Sequence, residues 1–340
     1  MIPTTIVIPG FMGSNLLDAN SGRTLWSRTA LFWTRLELLR LNPDGSGDAD
    51  PAMMIEPGGD FRPVYRALMR DLRRAGQRVL FFSYDWRRSA AEAAIKLRKF
   101  VDDSAGGEIV NLVTHSMGGL VAALWLTEVG TERLGRMAGI ALPAGGVEMA
   151  VSALLKGYSK LAFFNIRANK ALIRELATGI PSLYEMLPSL PGAFEMSSWP
   201  HELDLNSAML ESACGVQERL KRCVPRLTRL SSEGRFALIA GTGTRMIAWN
   251  RHTGGQIGPH LESKGDGDGW VLSENARISG VPTYSFRPRF RDALGLGLFS
   301  SLALIMGPHP ILPMFRRVRR VATEFIITGE IKSLPVMTHV

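Results

Sequence analysis

Ser116, Asp268 and His309 follow one another in the chain as nucleophile, acid and base would, and each lies where the surrounding sequence suits that chemistry. Ser116 sits in Thr114-His115-Ser116-Met117-Gly118-Gly119. A β-like apolar run from Glu108 to Val113 stops just before it, and Leu120, Val121, Leu124 and Val129 then resume at helical spacing. A serine on so sharp a strand-to-helix bend projects its hydroxyl at a helix N-terminus, with small residues beside it. The chemistry implied is attack of a serine oxygen on an acyl carbon. A serine before a helix also serves as a plain N-cap, so the reading depends on an acid, an imidazole and two N–H donors supplied elsewhere.

The acid is sought in Lys264-Gly-Asp-Gly-Asp-Gly-Trp-Val271. A calcium loop would need an oxygen ligand where Trp270 stands and a glutamate where Arg277 stands, so that reading fails. A loop folding its backbone around a carboxylate that orients an imidazole fits better. Asp268 is preferred to Asp266, because Asp268-Gly-Trp-Val leads directly into apolar residues that anchor the loop. The base is sought after the last strand, in the rigid turn Gly307-Pro308-His309-Pro310. The other histidines suit the task less. His115 is expected to point away from the bend, His201 falls in a helical stretch, His252 and His260 precede the acid, and His339 lies in the tail. For the oxyanion, Thr4–Ile8 reads as a strand feeding the loop Gly10-Phe11-Met12-Gly13, and the backbone N–H groups of Met12 and Met117 are the candidate donors.

These residues need a scaffold to hold them together. With 340 residues, 46% of them hydrophobic, the chain can bury a large core. Strands are expected at 4–8, 79–83, 109–113, 137–142, 236–240 and 281–286, and helices at 63–76, 90–102, 117–129 and about 314–327. Alternation of this kind means βαβ units and a parallel sheet, with active residues beyond the C-terminal strand ends. Residues 1–146 are read as the first part of the core, 147–232 as a helical cap or lid insertion, and 233–340 as the second part with the acid and histidine loops. A helix is expected from Ala30 to Leu41, and Asn42 to Asp50 reads as an exposed polar loop. The uncharged run Leu294 to Met306 is too short and glycine-rich for a membrane span; it is expected to be buried near the histidine or to form an apolar lip.

Cys214 and Cys223 are read as free thiols, and no metal or organic cofactor is implied. No basic leader precedes the first strand, so a cytoplasmic location is expected, with peripheral membrane contact. The net charge is +9, with arginine concentrated at 66–74, 87–88 and 316–320. No nucleic-acid motif accompanies it. Anionic membrane is the partner such a surface suits, against the plainer reading of solvated helix faces. Nothing in the sequence speaks to oligomeric state.

Together these pieces resemble the lecithin:cholesterol acyltransferase-like branch of the α/β-hydrolases. The resemblance is carried in order by Ile8-Pro-Gly-Phe-Met-Gly-Ser14, Tyr84-Asp-Trp-Arg87, Thr114-His-Ser-Met-Gly-Gly119, Pro181-Ser-Leu-Tyr-Glu-Met-Leu-Pro188 and Gly265-Asp-Gly-Asp-Gly-Trp-Val271. It implies an α/β-hydrolase fold with a mostly parallel central sheet flanked by helices, a cap that admits an acyl chain, and Ser116, Asp268, His309, Met12 and Met117 in the roles given above. The expected function is a serine hydrolase or acyltransferase acting on acyl esters, lipids first: a lipase, phospholipase or O-acyltransferase. The alternatives are an esterase or thioesterase of a non-lipid ester or lactone, and a catalytically silent binding module of the same fold. Three departures stand out. Thr114 replaces the first glycine of G-x-S-x-G, Trp270 stands where the family commonly has threonine, and the connection to His309 is long and apolar.

Overall fold

The computed structural model describes residues 2–27, 35–60, 62–157, 169–188, 205–251, 257–289, 292, 296 and 307–337. The chain enters on β1 (Thr4–Ile8) and passes through β2 (Ser14–Asp18), β3 (Thr24–Trp26) and β4 (Ile55–Asp60). It then alternates through α1 (Arg62–Arg74), β5 (Arg78–Phe81), α2 (Ala90–Ala105), β6 (Val110–His115), α3 (Met117–Val129) and β7 (Leu134–Ile140). Helices α4 (Glu148–Lys156), α5 (Lys170–Thr178), α6 (Pro181–Glu185) and α7 (Ser207–Ser232) precede β8 (Phe236–Gly241). After these come β9 (Thr244–Arg251), β10 (Ile257–Gly267), β11 (Thr283–Phe286), a 3₁₀ turn at His309–Met314 and α8 (Arg316–Thr328).

Six strands form one sheet in the order β11-β8-β7-β6-β1-β5, and every pairing in it is parallel. Alternate residues serve opposite faces, as the strand pleat requires. Ile6, Ile8 and Leu112 join the core under α2, α3 and α7, while Val7, Val113 and Ile140 join the core under α1, α8 and the 3₁₀ turn. Burying each such aliphatic side chain stabilises the fold by roughly 1.5–3 kcal/mol. The strand order sets the site. The chain goes from β1 to β5 on one side and then crosses back to place β6 on the other, so the loops after β1 and β6 stand side by side at the switch in strand order, where a sheet of this kind keeps its ligand crevice.

Between β1 and α1 the chain forms a three-stranded antiparallel sheet, β3-β2-β4, which the sequence does not announce. The expected helix from Ala30 is represented in the described residues by one 3₁₀ turn, Leu36–Leu39, and residues 28–34 lie outside them. Asn42 to Asp50 is not a simple exposed loop. Gly45 is buried and pressed against Pro181, and Asp48 accepts the Ile55 N–H at 2.8 Å and pairs with the buried Arg87 at 2.9 Å. Ahead of the acid turn the chain forms an antiparallel pair, β9 with β10. Of the apolar run Leu294 to Met306, all but Leu296 lies outside the described residues. Both cysteines are free. Among the described residues no helix is long and apolar enough to cross a membrane.

The exposed Arg66, Arg70, Arg73 and Arg74 of α1 lie on the same side of the sheet as Arg316, Arg317 and Arg320 of α8, because the two helices pack together. Between them, Asp71 is engaged by Arg70 at 3.1 Å and Arg319 at 2.8 Å.

Candidate active site

Ser116 occupies the bend itself, between β6 and α3, with φ 52° and ψ −127°. Left-handed backbone at a non-glycine residue costs about 1–3 kcal/mol and persists only where the surroundings fix it. Here the Ser116 N–H donates to the Ile140 carbonyl at 2.8 Å, and the Gly119 N–H donates to the Ser116 carbonyl at 2.8 Å. The neighbours must be small because β1 passes so close. A Cβ at Gly118 would lie 2.4 Å from the Pro9 carbonyl oxygen, and one at Gly10 would lie 2.8 Å from the Ser116 Cβ. Thr114 is fully buried, so the strand tolerates the branched residue in place of glycine. Its hydroxyl has no partner among the described residues.

The imidazole of His309 reaches Ser116 from the start of the 3₁₀ turn. Its Nε2 lies 2.8 Å from Ser116 Oγ and its Nδ1 lies 2.7 Å from Asp268 Oδ2. A carboxylate only accepts, so Nδ1 carries the proton and Nε2 is left to accept the serine hydroxyl. The other Asp268 oxygen takes the N–H groups of Trp270 at 3.1 Å and Val271 at 2.9 Å, which aims the carboxylate. The Asp266 carboxylate accepts the Gly243 N–H at 2.6 Å and makes no hydrogen bond to the imidazole among the described residues. The indole of Trp270, the departure from the family pattern, stacks on the His309 ring with centroids 5.2 Å apart and planes 20° apart. Ser116, Asp268 and His309 are all buried.

His115 turns to Tyr65 and the His309 backbone and makes no hydrogen bond to Ser116 among the described residues. It is buried, with Nδ1 2.8 Å from the Tyr65 hydroxyl and Nε2 3.0 Å from the His309 carbonyl oxygen. Burial, and then the proximity of His309, hold its pKa well below the usual imidazole range, against the hydrogen bond to the His309 carbonyl. Burial also raises the Tyr65 phenol. Strand alternation points His115 to the opposite face from Thr114, which is a local signal; nothing local marks Tyr65, which reaches it from α1.

The loop after β1 completes the crevice. Gly13 N–H donates to the Gly10 carbonyl at 2.9 Å, closing a tight turn in which Met12 has φ 61°. Trp26 Nε1 donates to the Met12 carbonyl at 3.1 Å, and the Gly10 N–H donates to the Tyr65 hydroxyl at 3.1 Å. Neither the Met12 nor the Met117 N–H has a hydrogen-bond partner among the described residues. From this turn opens a cavity, partly open to solvent, whose lining includes Phe11, Met12, Trp86, Met149, Ile173 and Leu183. Its described lining is entirely apolar. The Tyr84–Arg87 segment is pinned behind it. Tyr84 donates to the Pro9 carbonyl at 2.8 Å, and the buried Arg87 pairs with Asp85 at 2.7 Å and donates to the Leu39 carbonyl at 3.1 Å. Among the described residues no cluster of histidine, cysteine and carboxylate side chains is arranged to hold a metal ion.

Residues 63–212 match the family model described as lecithin:cholesterol acyltransferase, which bears out the resemblance drawn from the motifs. A curated relative, the uncharacterized protein YJR098C of Saccharomyces cerevisiae, is 29% identical over 129 residues; the match covers 34% of this chain and only 20% of the yeast protein. Among solved structures, the crystal structure of the Tle4–Tli4 complex superposes with a TM-score of 0.66 at 15% identity, covering 96% of this chain and 98% of that one. At that identity the likeness is one of fold. The mature Bacillus licheniformis lipase BlEst2 superposes less well, with a TM-score of 0.40 at 14% identity over 84% of this chain and 83% of the other.

Proposed function

We propose that this chain, an α/β-hydrolase whose residues 63–212 match the lecithin:cholesterol acyltransferase family, is a serine hydrolase or acyltransferase acting on acyl esters, with lipid esters as the substrate class. The observation that carries the proposal is the unbroken chain Asp268–His309–Ser116, with both contacts under 3 Å, set against the Gly10–Met12 turn, whose Met12 lines an apolar cavity. Ser116 Oγ attacks the ester carbonyl as His309 Nε2 takes its proton, while Asp268 keeps the proton on Nδ1 and balances the imidazolium. The tetrahedral oxyanion is met by the Met12 and Met117 N–H groups, each such donor contributing about 3 kcal/mol. As the ester C–O bond breaks, His309 returns its proton to the leaving alcohol. Water or an acceptor alcohol then attacks the acyl-serine, giving its proton to His309, which passes it to Ser116 Oγ.

The apolar lining favours a lipid over a non-lipid ester or lactone. With no polar group to satisfy, its affinity grows with the hydrocarbon it takes from water, about 0.8 kcal/mol per methylene. Helices α4 and α5, within the 147–232 insertion, supply Met149, Ala153, Ile173, Leu176 and Ala177 to the wall and act as its cap. The exposed arginines of α1 and α8 provide the charge for peripheral contact with an anionic membrane.

Product analysis after incubation with phospholipid vesicles, with and without an added long-chain alcohol, tests the proposal. Released fatty acid identifies a lipid hydrolase, and a new ester of the added alcohol identifies a transferase. If neither forms while a short water-soluble ester is cleaved, the non-lipid reading replaces this one. If nothing is cleaved, the chain is a binding module. Retention of the protein on anionic but not neutral vesicles is the expected flotation result.

A further inference from the structure

The side chain of His309 has two partners in the proposed mechanism, but its aim depends on where its backbone is held. Both backbone groups of this residue are tied. Its N–H donates to the Asp268 carbonyl at 3.0 Å, and its carbonyl oxygen lies 3.0 Å from His115 Nε2. The turn is also pressed against the acid loop, since a Cβ at Gly307 would lie 2.6 Å from the Gly269 Cα.

The protons along the rest of this chain can be arranged in only one consistent way. The Gly10 N–H donates to the Tyr65 oxygen at 3.1 Å, and the Tyr65 hydroxyl proton is then directed to His115 Nδ1 at 2.8 Å. With Nδ1 accepting, neutral His115 carries its proton on Nε2 and donates it to the His309 carbonyl. The ring of His115 also faces that of His309, with centroids 5.4 Å apart and planes at 34°. One hydrogen-bonded path therefore runs from the oxyanion turn, through α1 and the residue before the nucleophile, to the backbone of the base.

We propose that Tyr65 and His115 are positioning residues for the reaction, holding the Gly10–Met12 turn and the His309 imidazole in register across Ser116. The inference rests on the reading of Ser116 as nucleophile and His309 as base. Neither residue touches substrate. Their effect is exerted on the distance and angle at which proton and oxyanion are met, where a displacement of an ångström costs about 100-fold in rate.

The test compares His115→Leu, His115→Gln, Tyr65→Phe and the Tyr65→Phe/His115→Leu double variant. The readouts are kcat and KM on p-nitrophenyl butyrate and the rate of labelling by a fluorophosphonate probe, at a temperature where thermal unfolding shows each variant folded. His115→Leu is expected to lower kcat and the labelling rate by roughly 10- to 100-fold with KM little changed. His115→Gln, whose amide offers an acceptor and a donor in one plane, is expected to recover most of that loss. Tyr65→Phe should lose less than His115→Leu, and the double variant should be no worse than His115→Leu alone, because the two act on one path. The proposal is overturned by a folded His115→Leu with the wild-type labelling rate, by His115→Gln no better than the leucine variant, or by additive losses in the double variant. If His115→Leu does not fold, Tyr65→Phe decides: an unchanged labelling rate overturns the proposal. A Ser116→Ala control separates the two levels, since labelling that survives it removes the underlying reading as well.

Discussion

In the network around Ser116 each side-chain polar atom of Asp268, His309, His115 and Tyr65 has a partner within hydrogen-bond distance. The cavity that opens from Phe11 and Met12, by contrast, is walled by apolar side chains. The difference assigns two tasks. Fixed dipoles hold protons and developing charge to within tenths of an ångström, which is where electrostatic preorganisation acts. An apolar wall has no direction to enforce, so it selects by volume and length, with a modest gain per methylene. A hydrolase built this way is strict about where it cuts and permissive about what it cuts.

The largest way to break this comparison is on the polar side. Asp268→Asn should lower kcat by roughly 10⁴-fold, because the amide no longer enforces the Nδ1–H tautomer. Asp266→Asn should leave kcat within about threefold of wild type, its carboxylate serving, among the described residues, a backbone N–H. Steady-state kinetics on one ester decides between the two aspartates; equal losses would undo the assignment.

On the apolar side the expected effect is smaller and depends on chain length. Ala153→Phe, on α4 facing the cavity, should reduce kcat/KM for long-chain nitrophenyl esters by roughly 10- to 100-fold while sparing the butyrate. A uniform loss across chain lengths would mean that the cavity is not where the acyl chain lies.

A third contrast concerns a carboxyl outside the site. Glu185 in α6 accepts the Ser89 hydroxyl and the Ala90 N–H at the start of α2, fastening the α6 segment to the core. Burial, opposed by those two hydrogen bonds, pushes its pKa up from 4.5 to about 7. The folded chain thus binds this proton more tightly than the unfolded chain. Its contribution to stability is full below the unfolded value and is lost as pH rises through about 7. Relative to Glu185→Gln, the wild type should lose stability between about pH 5 and about pH 8, by at most ~3 kcal/mol. Denaturant midpoints across that range check it, and parallel curves would contradict it. The smallest effect is expected at Thr114. Its buried hydroxyl has no partner among the described residues, so Thr114→Val should leave kcat unchanged and raise stability by about 1 kcal/mol or less; a clear loss of stability would show that the hydroxyl is satisfied.

What was legible in the sequence was local. The strand before Ser116, the glycines after it and the helix that follows are all written in neighbouring residues, and the slots of Asp268 and His309 follow from their order around expected strands. The preference for Asp268 over Asp266 came from the apolar residues next to it, and it is Asp268 that lies beside the imidazole. What was not legible depends on residues far apart in the chain. Tyr65 meets His115, and Asp48 meets Arg87, through the packing of α1 and of the loop after Leu41. Neither pair has a spacing that announces it. Trp270 was recognisable as a departure, but its stack on His309 depends on how the acid loop and the 3₁₀ turn dock. The β9–β10 hairpin was hidden for another reason: its glycines, proline and charges resemble a loop, and only cross-strand pairing makes it a ladder.

The claim beneath all of this is that Ser116 receives an acyl group. Acid-quenched reactions with a long-chain nitrophenyl ester, digested and weighed, test it directly. Nitrophenol release is expected, accompanied by a peptide containing Ser116 that is heavier by one acyl group, with both absent from Ser116→Ala. An acyl group found on another residue, or hydrolysis that continues in Ser116→Ala, would contradict it.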